Sequence, residues 1–411
     1  RKRSRPETMR TSDMDDSRAA LLGDGRAWAP PGRLEGVPPY PLADVPDIKA
    51  RLLAEGRTVI DLGVGDPGLP VPEAAGETLR EAVGNPALSK NGFQRGAPRY
   101  RQAIAGWLSR RFDADVDPDL EVLPVIGSKE AIAHTAFAVL DPGDTVLIPD
   151  PGYAPYFGGP YFAGADVIRY ALRAEEGYLI PPDAIRRARG RLRLVYINYP
   201  NNPTSAVAEA DYLQEVVDAC RERDAVLLFD NAYSEITFDG FRAPGLLEID
   251  GGREVGLEFH SMSKTYNMTG WRLGWATGDR GLIGALRRVK TFFDTGAFMA
   301  LQTAGAAVLE NPDEYIRFNL DQLGRRRAAA VSAFRDAGLD VTAPRGTLYL
   351  WFRVPGQATS EDFCRRLLID SGVVLLPGSA MGPGGEGFVR ASLAIPEDRW
   401  EEAGRRIQEA L

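Results

Sequence analysis

The sequence predicts an α/β fold: a mainly parallel, seven-stranded sheet with helices on both faces, and a smaller α+β domain after it. Seven short apolar runs lie between residues 122 and 277 and alternate with stretches of helical periodicity. Short apolar runs separated by helices are typical of parallel strands that are buried on both faces. A chain of 411 residues can also bury a large core in one or two domains.

The composition excludes several classes of protein. The net charge of −8 argues against a nucleic-acid or anionic-membrane partner, and no apolar run approaches the roughly 20 residues of a membrane span. The only two cysteines, Cys220 and Cys364, lie far apart in predicted helices and make no disulfide framework. A reducing, cytoplasmic location is therefore expected.

Four regions follow from the patterns along the chain. Residues 1–30 are polar and lack periodicity, which predicts a mobile tail. Residues 31–60 are rich in proline, contain a short helix at about 44–55, and are predicted to join the small domain. Residues 61–300 form the predicted large domain, and residues 301–411 the small α+β domain.

Individual elements follow from hydrophobic periodicity and from turn residues. The predicted strands are 59–62, 122–126, 145–149, 167–170, 192–198, 225–230, 255–261, 273–277, 346–354, 373–376 and 388–393. The predicted helices cover about 44–55, 73–84, 98–112, 128–140, 311–337, 360–371 and 397–410, with a further long helix from about 279.

One stretch, residues 260–275, carries the strongest chemical signal. Only six of the 49 basic residues are lysines, and Lys264 is one of them. A lysine amine can lose its proton and form a Schiff base, whereas arginine stays protonated. Ser261, Ser263 and Arg272 supply hydroxyl and guanidinium donors suited to a phosphate. The alternative for Lys264 alone is an ordinary polar loop.

A second phosphate contact is predicted where a strand gives way to a helix. Ser128 and Lys129 follow Gly127 at that helix start, where backbone N–H groups favour anions. The alternative is a simple helix cap.

Other polar and aromatic side chains follow predicted strand ends, where a parallel sheet binds ligands. Tyr153 could stack on a flat cofactor ring, and Asp230 could pair with a pyridinium nitrogen. Asn202 lies in a proline-flanked turn, and Tyr233 lies three residues after Asp230. The alternatives are a packed tyrosine for Tyr153, an ordinary turn for Asn202 and a cap for Asp230.

Arg390 and the histidines complete the set of candidates. Arg390 lies mid-strand among apolar neighbours and needs an anion, either in a structural ion pair or as a substrate carboxylate. His134 and His260 are the only histidines, and they are not paired in the sequence. No zinc or other metal site is expected.

Together these motifs resemble those of the fold-type-I pyridoxal-phosphate (PLP) enzymes, specifically the class I/II aminotransferases of the aspartate and LL-diaminopimelate branch. The resemblance covers residues 35–411 and implies a homodimer with its active site at the subunit interface. It implies that Lys264 carries PLP in a Schiff base and moves the proton at Cα, with Asp230 on the pyridine nitrogen and Asn202 and Tyr233 on the ring oxygen. It also implies that Tyr153 stacks on the ring and that the phosphate is held by Ser128, Lys129, Ser261, Ser263 and Arg272.

The same resemblance implies substrate contacts from Arg390, Asn202, Gly65, Tyr40, Asn91 and Phe292, with Arg390 on the α-carboxylate. Three positions depart from the branch: Asn91 replaces a tyrosine, Gln94 a glutamate and Phe292 an asparagine. These departures predict poor activity on LL-diaminopimelate, whose distal ammonium needs a carboxylate.

The leading hypothesis is a PLP-dependent aminotransferase that moves an amino group to a 2-oxo acid. The alternative is a PLP-dependent lyase, decarboxylating deaminase or cyclase of natural-product biosynthesis on the same fold. The intact Lys264 argues against a non-catalytic regulator.

Overall fold

A computed structural model describes residues 31–37, 44–92 and 95–411. The predicted tail at residues 1–30 and two predicted substrate-region residues, Tyr40 and Gln94, lie outside these ranges. Gly32–Leu34 forms one 3₁₀ turn. All other elements lie in the compact unit formed by residues 41–411.

The described residues form twelve strands that fall in three sheets. They are β1 (Ile60–Asp61), β2 (Val122–Val125), β3 (Thr145–Asp150), β4 (Asp166–Ala171), β5 (Leu192–Asn198), β6 (Val226–Asp230), β7 (Gly256–Ser261), β8 (Gly274–Gly278), β9 (Tyr349–Arg353), β10 (Val373–Val374), β11 (Leu376–Pro377) and β12 (Phe388–Ser392).

Helices connect most of these strands. They are α1 (Val45–Ala54), α2 (Glu73–Val83), α3 (Pro98–Phe112), α4 (Ser128–Val139), α5 (Pro155–Phe162), α6 (Pro182–Arg186), α7 (Ala210–Glu222), α8 (Gly252–Val255), α9 (Met262–Thr265), α10 (Arg280–Lys290), α11 (Met299–Glu310), α12 (Asp313–Asp336), α13 (Ser360–Ser371) and α14 (Trp400–Ala410).

The large sheet has seven strands in the order β2-β8-β7-β6-β5-β3-β4. Strand β8 is antiparallel to both of its neighbours, and the other neighbouring pairs are parallel. The prediction of a mainly parallel seven-stranded sheet is therefore confirmed.

Helices cover both faces of this sheet because successive strand residues point to opposite sides. In β5, Leu194 and Tyr196 join the core that contains Ile132 of α4. Val195 and Ile197 join the other core, with Leu213 of α7 among its members. The continuous apolar sequence of β5 is thus explained by burial on two sides.

The C-terminal elements build a smaller α+β layer. Strands β11, β12 and β9 form an antiparallel sheet, and β1 pairs with β10 in parallel. Their shared core contains Phe334 and Trp400, together with Ile60 from the N-terminal side. This packing agrees with the predicted smaller α+β domain.

Helix α11 was not predicted, and it crosses the predicted domain boundary after residue 300. Its apolar residues, among them Ala306 and Leu309, belong to the core that also holds Tyr100 of α3. Since α11 is apolar on several sides, it has little helical periodicity to detect. The bounds of the four predicted regions remain predictions.

Two expectations concern membranes and thiols. No helix among the described residues is both long and apolar enough to cross a bilayer. Cys220 and Cys364 are both buried and free, as expected for a chain without a disulfide framework. The cytoplasmic location remains a prediction.

Candidate active site

The candidate site lies at one edge of the large sheet. The parallel strands β5, β6 and β7 end at Asn198, Asp230 and Ser261, so their carboxyl ends meet at that edge. The register aligns Asn198 with Asp230, and the Asn198 amide donates to the Asp230 carbonyl at 2.7 Å. A ligand-binding crevice is expected at this edge of a parallel sheet.

Asp230 is a buried carboxylate with one oxygen satisfied. Its Oδ2 accepts a hydrogen bond from the Tyr156 hydroxyl at 2.7 Å. Its Oδ1 is buried and has no hydrogen-bond partner among the described residues. Burial raises the pKa of Asp230 to about 6, although the Tyr156 bond opposes that rise. An unpaired buried oxygen fits a cationic or N–H-bearing partner.

Lys264 reaches the site from the short helix α9. The Ser261 hydroxyl caps this helix by accepting from the Ser263 N–H at 3.1 Å. The Lys264 amine is half-buried and donates to the Gly65 carbonyl. A Cβ atom on Gly65 would lie 3.7 Å from the amine nitrogen, an ordinary contact, but only 2.6 Å from the Tyr349 hydroxyl.

Ser263, Arg272 and the start of α4 form a cluster of donors. Arg272 donates to the Thr269 carbonyl at 2.8 Å and lies 3.4 Å from the Ser263 hydroxyl. Its guanidinium fits against Gly127, where a Cβ would come within 2.2 Å of Nη2. Ser128 follows as the first residue of α4. Arg272, Ser263 and the start of α4 therefore lie together.

Tyr153, the predicted stacking residue, lies near Lys129, one of the predicted phosphate donors. The Lys129 amine lies 5.8 Å from the Tyr153 ring centroid. The Tyr153 ring in turn packs edge-on against Tyr156, with centroids 5.7 Å apart. These residues connect the donor cluster with the Asp230 carboxylate.

Arg390 is buried in β12 and is held by neutral acceptors. It donates to Asn202 Oδ1 at 2.9 Å and to the Gly63 carbonyl at 2.8 Å. Its Nε has no hydrogen-bond partner among the described residues, and no described carboxylate forms an ion pair with it. A buried guanidinium without a counter-anion is suited to bind a carboxylate ligand.

Sequence reasoning missed two tyrosines, Tyr156 and Tyr349. The Tyr349 hydroxyl lies 3.0 Å from that of Tyr233, and Tyr156 contacts Asp230. Burial, followed by the neighbouring Tyr349, raises the pKa of Tyr233 well above its usual value. Tyr156 lies only three residues after Tyr153, which placed it near the site, but Tyr349 gave no comparable signal.

The residues predicted to contact the substrate side chain are placed differently. Asn91 is exposed, and the Phe292 side chain is 84% exposed. The adjacent Phe293 stacks on His134 at 4.4 Å between centroids. The described residues alone do not enclose this side of the site.

Phe292 and Phe293 form an exposed rim, and a cluster of ionisable side chains lies beside Phe293. One carboxylate oxygen each of Glu130 and Asp294 and one ring nitrogen of His134 lie within 4.8 Å of one another. The buried Lys290 ammonium bonds to Glu130 at 2.5 Å and to Asp294 at 2.8 Å. A lysine therefore supplies the positive charge that these carboxylates need.

Comparison with protein families identifies the fold and chemistry. The family model "Aminotransferase class I and II" matches residues 57–407. The chain belongs to the class I and II aminotransferases. It is 43% identical to the LL-diaminopimelate aminotransferase of Desulforudis audaxviator, over 92% of this chain and 97% of that protein. It is 41% identical to the enzyme of the same name from Aquifex aeolicus, over 92% and 97%.

Solved structures agree with this assignment. The aminotransferase aligns with substrate-bound BacF of Bacillus subtilis at a TM-score of 0.87 and 32% identity, covering 93% of this chain and 98% of that one. It aligns with a probable N-succinyldiaminopimelate aminotransferase of Thermus thermophilus at 0.83 and 34%, covering 89% and 99%.

These relationships establish the chemistry of the chain. This aminotransferase depends on PLP and transfers amino groups, as the motifs predicted. The alternative of elimination, decarboxylation or cyclisation is not favoured.

Proposed function

We propose that PLP binds between Asp230 and the donor cluster, with its aldehyde carbon at Lys264. The observation that carries this proposal is the free, buried Oδ1 of Asp230. When bound, PLP supplies an aldehyde for amines and a ring that withdraws electrons from the substrate Cα. Ionised Asp230 would keep the ring nitrogen protonated, because an opposite charge nearby favours both ions.

The donor cluster would bind the cofactor's phosphate. Ser128, Lys129, Ser261, Ser263 and Arg272 provide backbone, hydroxyl and cationic donors for its oxygens. Asn202 and Tyr233 would hold the ring oxygen, and Tyr153 would cover one face of the ring. These contacts fix the ring before any substrate arrives.

Lys264 and Arg390 would act on the amino acid itself. Arg390, assisted by Asn202 and the Gly65 loop, would bind the α-carboxylate and so orient the Cα–H bond. The Lys264 amine, once displaced by the substrate amine, would carry the proton from the substrate Cα to C4′, the former aldehyde carbon of the cofactor. Water exclusion in this buried cleft strengthens each charged contact.

For the substrate we propose an α-amino acid whose distal end is uncharged. Phe292 and Phe293 present exposed apolar rings at the rim. Neither ring can form an ion pair with the ammonium group of a charged distal end. The named relatives at 41–43% identity act on LL-diaminopimelate, so that amino acid is the decisive comparison. Tyr40 and Asn91 complete the proposed substrate contacts.

The substrate proposal is tested by amino-transfer assays. Purified enzyme is given LL-diaminopimelate or a neutral amino acid of similar length, each with 2-oxoglutarate. The kcat/KM should be higher for the neutral amino acid. Efficient turnover of LL-diaminopimelate would overturn the substrate proposal, and release of ammonia without a new amino acid would overturn amino transfer.

We also propose a homodimer that encloses the rim. Phe292, Phe293 and Phe298 are 84%, 59% and 43% exposed, which is unusual for large apolar rings. An open groove of about 590 Å³ runs beside Phe293 and Lys129. Burial of these rings by a second copy would close the site.

Sedimentation velocity tests the dimer. A Phe292→Asp/Phe293→Asp variant should sediment as a monomer and lose activity. The control is Leu53→Asp, which places one such charge on another exposed apolar residue, 54% exposed, in α1. A native enzyme that stays monomeric at micromolar concentration would contradict the proposal.

A further inference from the structure

Tyr349 stands at the meeting point of two groups with different proposed tasks. Its hydroxyl lies 3.0 Å from that of Tyr233, and the two rings meet at 71°. The face of the same ring lies 4.2 Å below the guanidinium carbon of Arg390. One buried side chain thus touches both the partner proposed for the cofactor's ring oxygen and the partner proposed for the substrate carboxylate.

The Tyr349 hydroxyl also faces the loop that receives Lys264. A Cβ atom on Gly65 would lie 2.6 Å from this hydroxyl and 3.7 Å from the Lys264 amine. Only a residue without a side chain leaves this corner open. The hydroxyl is therefore close to the reacting end of the cleft.

The backbone of Tyr349 is fixed by a loop of the large sheet. The Ser205 hydroxyl donates to the Tyr349 carbonyl at 2.8 Å and lies 2.7 Å from the Thr347 hydroxyl. The Tyr349 N–H donates to the same Thr347 hydroxyl at 3.1 Å. Ser205 follows Asn202 closely in the chain, so one loop positions both Asn202 and Tyr349.

We propose that Tyr349 is a positioning residue with two separable functions. Its hydroxyl donates to Tyr233, so that the Tyr233 hydrogen points to the cofactor's ring oxygen. Its ring face holds Arg390 in the orientation that receives the substrate carboxylate. This inference rests on the proposed roles of Tyr233 and Arg390.

The two functions separate because they use different parts of the side chain. Tyr349→Phe removes the hydroxyl and keeps the ring, whereas Tyr349→Leu removes both. A donor to Tyr233 strengthens the bond that Tyr233 makes to the ring oxygen, since linked hydrogen bonds polarise one another. Loss of that donor should raise the pKa of the lysine-bound cofactor, because its ring oxygen then receives a weaker hydrogen bond.

The test is a spectral pH titration of the holoenzyme, followed by steady-state kinetics. Tyr349→Phe should raise the pH midpoint of the cofactor absorbance by about 0.5–1 unit, with KM within twofold of the wild type. Tyr349→Leu should raise the midpoint equally and also raise KM about three- to thirtyfold. Tyr212→Phe, which removes a buried hydroxyl bonded to the Ile180 carbonyl, should change neither quantity.

Two further variants keep the result interpretable. Tyr349→Phe should add no further shift in a Tyr233→Phe background, because the two hydroxyls act in series. Ser205→Ala should shift the midpoint in the same direction without altering Tyr349 itself. A midpoint that is unchanged or lowered in Tyr349→Phe would overturn the inference. A wild-type protein without lysine-bound cofactor absorbance would instead contradict the proposed function.

Discussion

The cleft around Asp230 is buried within one chain, whereas the rim around Phe292 is exposed. Asp230 is 5% exposed and Arg390 is 6% exposed, and each has protein partners on most sides. Phe292 is 84% exposed and lies in a segment that follows helix α10. The residues proposed for cofactor chemistry lie at strand ends of one chain, whereas the proposed substrate contacts lie at a rim that the described residues leave open.

The largest expected effect comes from replacing the Lys264 side chain. Lys264→Ala should lower amino transfer by at least about 10³-fold, because the nucleophile and the proton carrier are lost together. Lys264→Arg is the matched control for charge, and it should be equally inactive since arginine keeps its proton. Rates are measured with saturating amino acid and 2-oxo acid. Activity in either variant above about a tenth of the wild type would contradict the role of Lys264.

The next effect separates substrate binding from cofactor binding. Arg390→Ala should raise KM about 10- to 100-fold and leave the cofactor spectrum unchanged, because a charge-assisted contact to the α-carboxylate is lost. Arg353→Ala removes an exposed arginine of the neighbouring strand β9 and serves as the control. An unchanged KM for every amino acid tested would show that Arg390 has only a structural function.

The buried carboxylate should cost stability when no cofactor is present. The pKa of Asp230 is raised from 3.8 to about 6, so the folded state holds this proton more tightly than the unfolded state. Stability is therefore lost as pH rises through that interval. Asp230→Asn should raise the unfolding free energy of the cofactor-free protein by about 1–3 kcal/mol at pH 8, and by less at pH 5.

Denaturant unfolding at the two pH values measures this difference. Asp340→Asn removes an exposed carboxylate and should have no such effect. With PLP added, Asp230→Asn should bind the cofactor more weakly than the wild type. If the unfolding free energy of Asp230→Asn at pH 8 did not exceed that of the wild type, Asp230 would be stabilised by a partner other than the cofactor.

The smallest expected effect concerns the rim. Phe292→Asn should change the ratio of kcat/KM between a neutral amino acid and LL-diaminopimelate by about three- to tenfold, in favour of LL-diaminopimelate. An amide offers hydrogen bonds that the ring lacks, yet it supplies no full charge. Competition assays with both amino acids measure the ratio. An unchanged ratio would place Phe292 away from the substrate.

The sequence was sufficient to predict the sheet and the family chemistry. Strands such as β5 and β6 are largely apolar runs, and their last residues, Asn198 and Asp230, pair because neighbouring parallel strands end at one edge. Lys264 was identified by its chemistry among many arginines. These are local signals that a single sequence carries.

Other features depend on contacts between distant segments. Tyr349 lies 116 residues from Tyr233, and nothing in its own neighbourhood indicated a polar partner. Helix α11 has little periodicity because several of its sides are buried, and Tyr156 faces Asp230 across 74 residues. Such pairings follow from tertiary packing, which one sequence does not specify.

Reduction of the holoenzyme with borohydride, followed by peptide mapping, tests the central assignment most directly. Reduction fixes the cofactor on the amine that carries it. One labelled peptide is expected, with the label on Lys264. A label on Lys129 or Lys290 would contradict the assignment and with it the geometry proposed for the whole cleft.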